Sequence, residues 1–227
     1  MKKIFILALC SILSFQAFAQ DEELVIASSK DNKVKLEAFS HIGYGYNFVK
    51  SDNPNLSNVK GGEFFVNVFN LDFFSESTVG FQLGIDLLWD YFRQKNVEIY
   101  LDADRNIVAF NPPTFEGMEK LRGGFSTFSL NAPLLFKLRL DKVQFGAGVE
   151  GNWNLTGNTY YRYRENGHRT TVNQNKAKVN PLSYGIVATL SFDTAGFFFK
   201  YHPKSSSLLP EEGLDFNFMT FGVAFNL

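Results

Sequence analysis

Chemistry in this chain would have to come from three histidines, one cysteine and a modest set of charges. His41, His168 and His202 stand in no His-x-x-x-His or Cys/His spacing, so the sequence offers no ligand set for zinc. Ser40 and His41 are neighbours; in a strand successive side chains point to opposite faces, so the pair is expected to be split. No His-x-Ser pair supplies the nucleophile–base geometry of a serine hydrolase instead. Asp102-Ala103-Asp104-Arg105-Asn106 imitates the opening of a calcium loop. Ile107 replaces the required glycine, however, and Pro113 stands where the bidentate glutamate belongs, so a polar hairpin turn is expected. These residues imply no catalytic set, no metal and no cofactor, and a protein that is not an enzyme.

The elements that would carry these side chains are legible in the composition. The chain has 227 residues, 22 Lys+Arg against 23 Asp+Glu, and a formal net charge of −1. Such a balance lacks the basic stripe of a nucleic-acid binder, and 45% apolar with 20% charged residues is unlike a disordered chain. Phenylalanine is the outlier: 26 Phe with 9 Tyr and 2 Trp give 16% aromatic residues, yet the mean hydropathy is −0.10. The aromatics are therefore interleaved with polar residues.

Residues 1–19 read as a secretory signal peptide: Lys2 and Lys3, the apolar run Ile4 to Leu13, then Ala17-Phe18-Ala19 before Gln20. Cys10 lies inside the apolar run with Leu9 before it, which is not the setting of a lipidated cysteine, and cleavage leaves no thiol. Beyond that segment no apolar run is long enough for a transmembrane helix. Residues 20–34 read as a short periplasmic lead-in.

From residue 35 to 227 the apolar period is two. Val79, Phe81, Leu83, Ile85, Leu87, Trp89 and Tyr91 alternate with Gly80, Gln82, Gly84, Asp86, Leu88 and Asp90. The same pattern runs through Phe128–Leu140, Val143–Leu155 and Leu182–Phe192, with no charge on the apolar face of any of the four. Less regular runs cover Lys35–Val49, Glu63–Leu71, Gly196–His202 and Met219–Leu227; the facing of the second is ambiguous because Phe64 and Phe65 are adjacent. Period two sustained at this length predicts strands longer than soluble proteins use, matching the roughly 9–11 residues a tilted strand needs to cross a bilayer. Connections alternate short and long along the chain, as the turns and loops of outer-membrane barrels do. Hairpin signals occur inside two long connections, at Asn166-Gly167 and at Asp102–Asn106. The fold class predicted is all-β, an eight-stranded antiparallel up-and-down transmembrane β-barrel with both termini periplasmic.

A soluble lipocalin-like barrel would alternate too. The polar face here is rich in glycine, amides and hydroxyls, which suits a narrow lumen; a solvated exterior would be dominated by Lys, Glu and Asp. Tyr44, Tyr46, Trp89, Tyr91, Trp153 and Tyr201 gather at the far ends of the odd-numbered strands, as an aromatic girdle does. The predicted location is the outer membrane, with its lipid or lipopolysaccharide as partner and no nucleic acid.

Glu37, His41, Asp86, Asp90, Lys137, Arg139, Glu150 and Lys200 fall on the expected inward face. They read as an ionic network filling the lumen, with a catalytic or proton-relay cluster as the other reading, and leave no continuous aqueous pore. Tyr160-Tyr161-Arg162-Tyr163-Arg164, with Arg169, Lys176 and Lys178, forms a basic tyrosine-rich loop patch. It suits lipopolysaccharide phosphates, another envelope protein, or simply an ordinary solvated hairpin.

With that pattern established, the chain from Lys35 to Leu227 resembles the PorT-type outer-membrane β-barrel family of Bacteroidota. The motifs are Gly43-Tyr44-Gly45-Tyr46 in an early strand, Asn131-Ala132-Pro133-Leu134-Leu135-Phe136-Lys137 in a middle one, and Phe145-Gly146-Ala147-Gly148-Val149-Glu150-Gly151 after a tight turn. Ala132 stands where a bulkier aliphatic is common, and the chain ends Phe225-Asn226-Leu227 without a terminal aromatic. The resemblance implies a non-enzymatic anchor or interaction protein connected with the type IX (Por) secretion apparatus and other envelope proteins. The alternative from another class is an outer-membrane lipid A-modifying enzyme.

Overall fold

Long alternating strands with both faces committed have one way to satisfy every backbone group beside an apolar medium, which is to close on themselves. The computed structural model describes residues 24–29, 32–51, 56, 59–73, 77–110, 118–209 and 216–227; the expected signal peptide lies outside them. In chain order the strands are β1 Leu24–Ser29, β2 Asn32–Ala38, β3 His41–Ser51, β4 Lys60–Phe73, β5 Val79–Lys95, β6 Glu98–Leu101, β7 Ile107–Phe110, β8 Met118–Leu140, β9 Val143–Glu165, β10 His168–Ala177, β11 Leu182–Ser191, β12 Ala195–His202 and β13 Phe216–Asn226. Eight of them form a closed antiparallel ring: β3, β4, β5, β8, β9, β11, β12 and β13, with β13 pairing back onto β3 from Asn226↔His41 to Phe216↔Ser51.

The short connections, Asp141-Lys142 among them, lie at one end of the barrel and the long ones at the other. Both expected hairpins are present. β6 pairs with β7 around Asp102–Asn106, and β10 pairs with β9 around Asn166-Gly167, whose φ angles of 48° and 79° place both residues in the left-handed region that such turns demand. Asp102 holds its turn by accepting from the backbone N–H groups of Asp104 (2.9 Å) and Asn106 (2.8 Å). The hydrogen bond from Asn106 keeps its carboxyl below the usual carboxylate range.

Bulges break the simple alternation, and two of them bear on the expected site residues. The run expected as a single strand over Lys35–Val49 is broken at Phe39-Ser40: Ala38 pairs with Phe69 but Ile42 pairs with Val66, so β2 and β3 share the β4 edge with one extra residue between them. Phe39 takes up the kink with φ 49°. The second bulge, in β4 at Val68, lies between the pairs Asn67↔Asp86 and Phe69↔Ile85. It explains the ambiguous facing of this strand. Phe65 is buried in the lumen and Phe64 stacks outside against Trp89, while beyond the bulge Asn70 takes the inward side. The segment expected as a lead-in also pairs, β1 running antiparallel to β2 from Leu24↔Leu36.

Side-chain facing follows the register. Leu83, Leu134, Val149 and Ile186 lie side by side across β5, β8, β9 and β11 on the outer surface, with Val149 and Ile186 55% and 56% exposed. On the same surface Phe64, Trp89 and Phe128 form a tilted stack with centroid separations of 5.7 and 4.8 Å, and the Tyr44 and Tyr91 hydroxyls hydrogen-bond to each other. Gly62 makes room for that contact, because a Cβ there would collide with the Tyr91 hydroxyl. Of the residues expected in a girdle, Tyr44, Tyr46 and Trp153 are exposed on the outer surface, while Trp89, Tyr91 and Tyr201 are half-buried; Phe64 of β4, Phe128 of β8 and Tyr184 of β11 were not expected there.

Candidate functional site

The lumen has three layers. At the short-turn end is a partly open cavity of about 290 Å³ lined by Ser40, His41, Asn70, Gln82, Lys137 and Thr189, among others. Above it lies a buried polar layer. The loop end is closed by an apolar cap that the sequence reading missed: Phe92 stacks on Phe125 at 4.7 Å, Phe218 meets Phe92 edge-on at 5.4 Å, and Leu56, Val97, Ile99, Leu208 and Leu209 pack onto this cluster. The cap residues from the loops sit at no regular period, which is why alternation did not reveal them. The signal available was Phe92 continuing the inward face of β5 beyond Asp90.

The middle layer holds the charges. Lys200 bridges Glu63 (2.6 Å) and Glu150 (3.2 Å), and His202 Nε2 lies 3.1 Å from the other Glu150 oxygen. The Lys200 ammonium also sits 5.2 and 5.6 Å from the ring centroids of Phe65 and Phe198. His202 is stacked on Phe218 at 4.2 Å, coupling the ionic layer to the cap. Asn131 donates to Glu150 (3.0 Å) and Asn47 to Asp90 (3.0 Å), while Thr220 donates to Asn47 (2.8 Å). Asn67 donates to Asp86 at 2.8 Å. All these groups are buried, so amides supply the donors that one lysine and one histidine cannot.

Of the residues the sequence placed inside, Asp86, Asp90, Glu150 and Lys200 meet in this middle layer. Glu37, His41 and Lys137 line the cavity below. Arg139 is ion-paired with Asp72 and donates to the Ser77 carbonyl (3.1 Å), while Glu37 pairs with Lys35 at 3.2 Å; both belong to the short-turn rim, away from the central cluster. Glu63 and His202 were missed. Glu63 was hidden by the ambiguous facing of its strand, although Lys200-x-His202 on one strand face was visible.

The bulge at Phe39-Ser40 overturns one expectation. Ser40 and His41 are not split between faces: Ser40 Oγ lies 2.9 Å from His41 Nδ1, and both border the cavity. The hydroxyl donates to Asn67 Oδ1 (3.0 Å) and accepts from Asn70 Nδ2 (2.8 Å). Its proton is therefore engaged with an amide rather than free for the imidazole. Far above, Tyr160–Arg164 lie on the upper half of β9 and Arg169 on β10, with Tyr161 and Tyr163 stacked at 6.4 Å and Arg162 lying 5.9 Å from the Tyr160 ring centroid.

A closed antiparallel ring with apolar residues outward, polar residues inward, and short turns opposite long loops defines an outer-membrane-type β-barrel. No family model matches the chain, and no curated protein matches it. The PorT-type resemblance therefore rests on the strand motifs alone. Among solved structures, the attachment invasion locus protein Ail of Yersinia pestis is 13% identical with a TM-score of 0.37, the match covering 87% of this chain and 99% of that one. A triple mutant of the Rhodopseudomonas blastica porin is 11% identical with a TM-score of 0.22, covering 86% of this chain and 100% of that one. Likenesses this loose concern strand architecture and assign no role.

Proposed function

We propose that this protein is a non-enzymatic, non-conducting barrel of the outer membrane, with its short turns in the periplasm and its loop end outside, serving as an anchor or interaction protein of the envelope. The observation that carries the reading is the pairing of an outward apolar belt with a lumen filled by an ionic layer and capped by Phe92, Phe125 and Phe218. A continuous aqueous path has no room past that cap, so planar-bilayer recordings of the refolded protein should show no porin-like steps. Stepwise conductance would contradict the reading. Its partners are outer-membrane lipid and lipopolysaccharide and other envelope proteins. The strand motifs shared with the PorT-type family favour components of the type IX secretion apparatus. Cross-linked recovery of tagged protein from native outer membranes tests this, and recovery of lipopolysaccharide alone would sink the secretion role.

The Ser40–His41 contact favours a second reading, a lipid A-modifying enzyme. The anchor reading predicts no turnover of labelled lipid A by the wild-type protein. Turnover that disappears in S40A would replace it with the enzyme.

A further inference from the structure

The three-stranded sheet of β8, β9 and β10 that rises past the barrel rim carries a cluster of cations. Lys120 and Arg122 from β8, Arg162 and Arg164 from β9 and Arg169 from β10 line, with Tyr163, one pocket of about 190 Å³. The register sets Arg122 directly across from Arg162, and Arg164 directly across from Arg169. Like charges placed opposite each other on a sheet are destabilising, and this sheet holds two such pairs two residues apart along β9. Arg162 donates to the Thr171 hydroxyl at 3.1 Å, and the register sets Glu119 of β8 across from Arg164, one acidic position against five basic ones. A bulge between Glu119 and Arg122 sets Lys120 and Leu121 against Tyr163 and leaves Lys120 at φ 58°, a conformation a lysine rarely adopts. Repulsion and backbone strain are thus concentrated where five donors converge.

We propose that this pocket binds a multiply charged oxyanion, a phosphate or sulfate group carried on a saccharide. Arginine forks match two oxygens of such a group at once. The height narrows the source. Arg162 and Arg164 lie nine and eleven residues beyond Trp153 on β9, about 30–36 Å along the strand at ~3.3 Å per residue. With a strand tilt of ~35–45° that is roughly 20–30 Å above the girdle, well clear of a headgroup layer only about 5–8 Å thick. The ligand is therefore sugar-linked and outside the bilayer, either the lipopolysaccharide core or a free polyanionic glycan. This placement rests on the proposed outward orientation of the loop end, whereas the pocket chemistry does not.

The test is titration of inositol hexakisphosphate into the full-length mature protein, in detergent and again in neutral phosphatidylcholine nanodiscs. Saturable, salt-sensitive binding is expected in both. R164Q/R169Q should weaken it by about tenfold or more while keeping the mobility difference between boiled and unboiled samples that marks the folded barrel. K176Q/K178Q, which alters two cations outside the pocket, should leave it intact. No binding in detergent, or equal weakening by both double variants, would overturn the pocket. Failure of the protein to enter nanodiscs, with binding kept in detergent, would instead fail the membrane reading and leave the pocket standing. Nanodiscs carrying lipopolysaccharide with a phosphorylated core should compete with the probe if the core is the source. No competition from them, with the probe still bound, assigns a free polyanion. Equal competition by core-truncated lipopolysaccharide that keeps its lipid A phosphates would overturn the placement above the headgroups.

Discussion

Replacement of Lys200 by methionine is expected to destabilise the barrel by about 3–5 kcal/mol, the usual cost of removing one partner from a buried ion cluster. Lys200 is the one lysine among Glu63, Asp86, Asp90 and Glu150 in the buried middle layer, and its ammonium lies 2.6 Å from Glu63 and 3.2 Å from Glu150. Without it those carboxylates remain enclosed with His202 and a few amide donors, in a space water reaches poorly. Urea titration of the detergent-folded protein, followed by the mobility difference between boiled and unboiled samples, measures the loss. The triple variant K200M/E63Q/E150Q removes the stranded charges along with the lysine and should recover most of it. A single variant as stable as wild type would show that the layer is hydrated.

The second large effect belongs to the opposite face. V149R is expected to cost about 2–4 kcal/mol, the penalty of an arginine near the midplane on the lipid side of an outer-membrane barrel. Val149 is 55% exposed and stands between Leu134 and Ile186 in the register, with Phe145 below and Trp153 above on its own strand. On the solvated exterior of a soluble barrel the same change would fall within about 0.5 kcal/mol of neutral. Refolding into vesicles with a urea titration separates the two cases. A neutral outcome would place water, not lipid, against this belt.

What could be read from the chain before the structure follows from where a single period governs. On β5 the rule that odd residues face out and even ones in holds from Val79 to Lys95, and it placed Asp86 and Asp90 correctly. It failed wherever one inserted residue reversed the parity. The bulge at Phe39-Ser40 brought Ser40 to His41, and the one at Val68 obscured which of Phe64 and Phe65 faced inward and so hid Glu63. Bulges leave little trace in a sequence because they obey local backbone geometry rather than side-chain type. The cap over the lumen was illegible for another reason: Leu56, Val97 and Leu209 come from loops and meet only through the closure of the ring. The loop patch was half legible. Arg162, Arg164 and Arg169 lie within eight residues of one another in sequence, but Lys120 and Arg122 joined them only through the β8–β9 register.

The central claim is that the outer surface of this barrel faces lipid, and the two tryptophans test it most directly. Trp89 and Trp153 are the only ones in the chain, and both lie on the outward face towards the loop end of the belt. In vesicles containing brominated phospholipids their fluorescence should be quenched, more strongly by bromines near the headgroup end of the acyl chain than by bromines at the bilayer centre, and aqueous iodide should have little effect. Strong quenching by iodide with none by the brominated lipids would contradict the account and leave a soluble barrel.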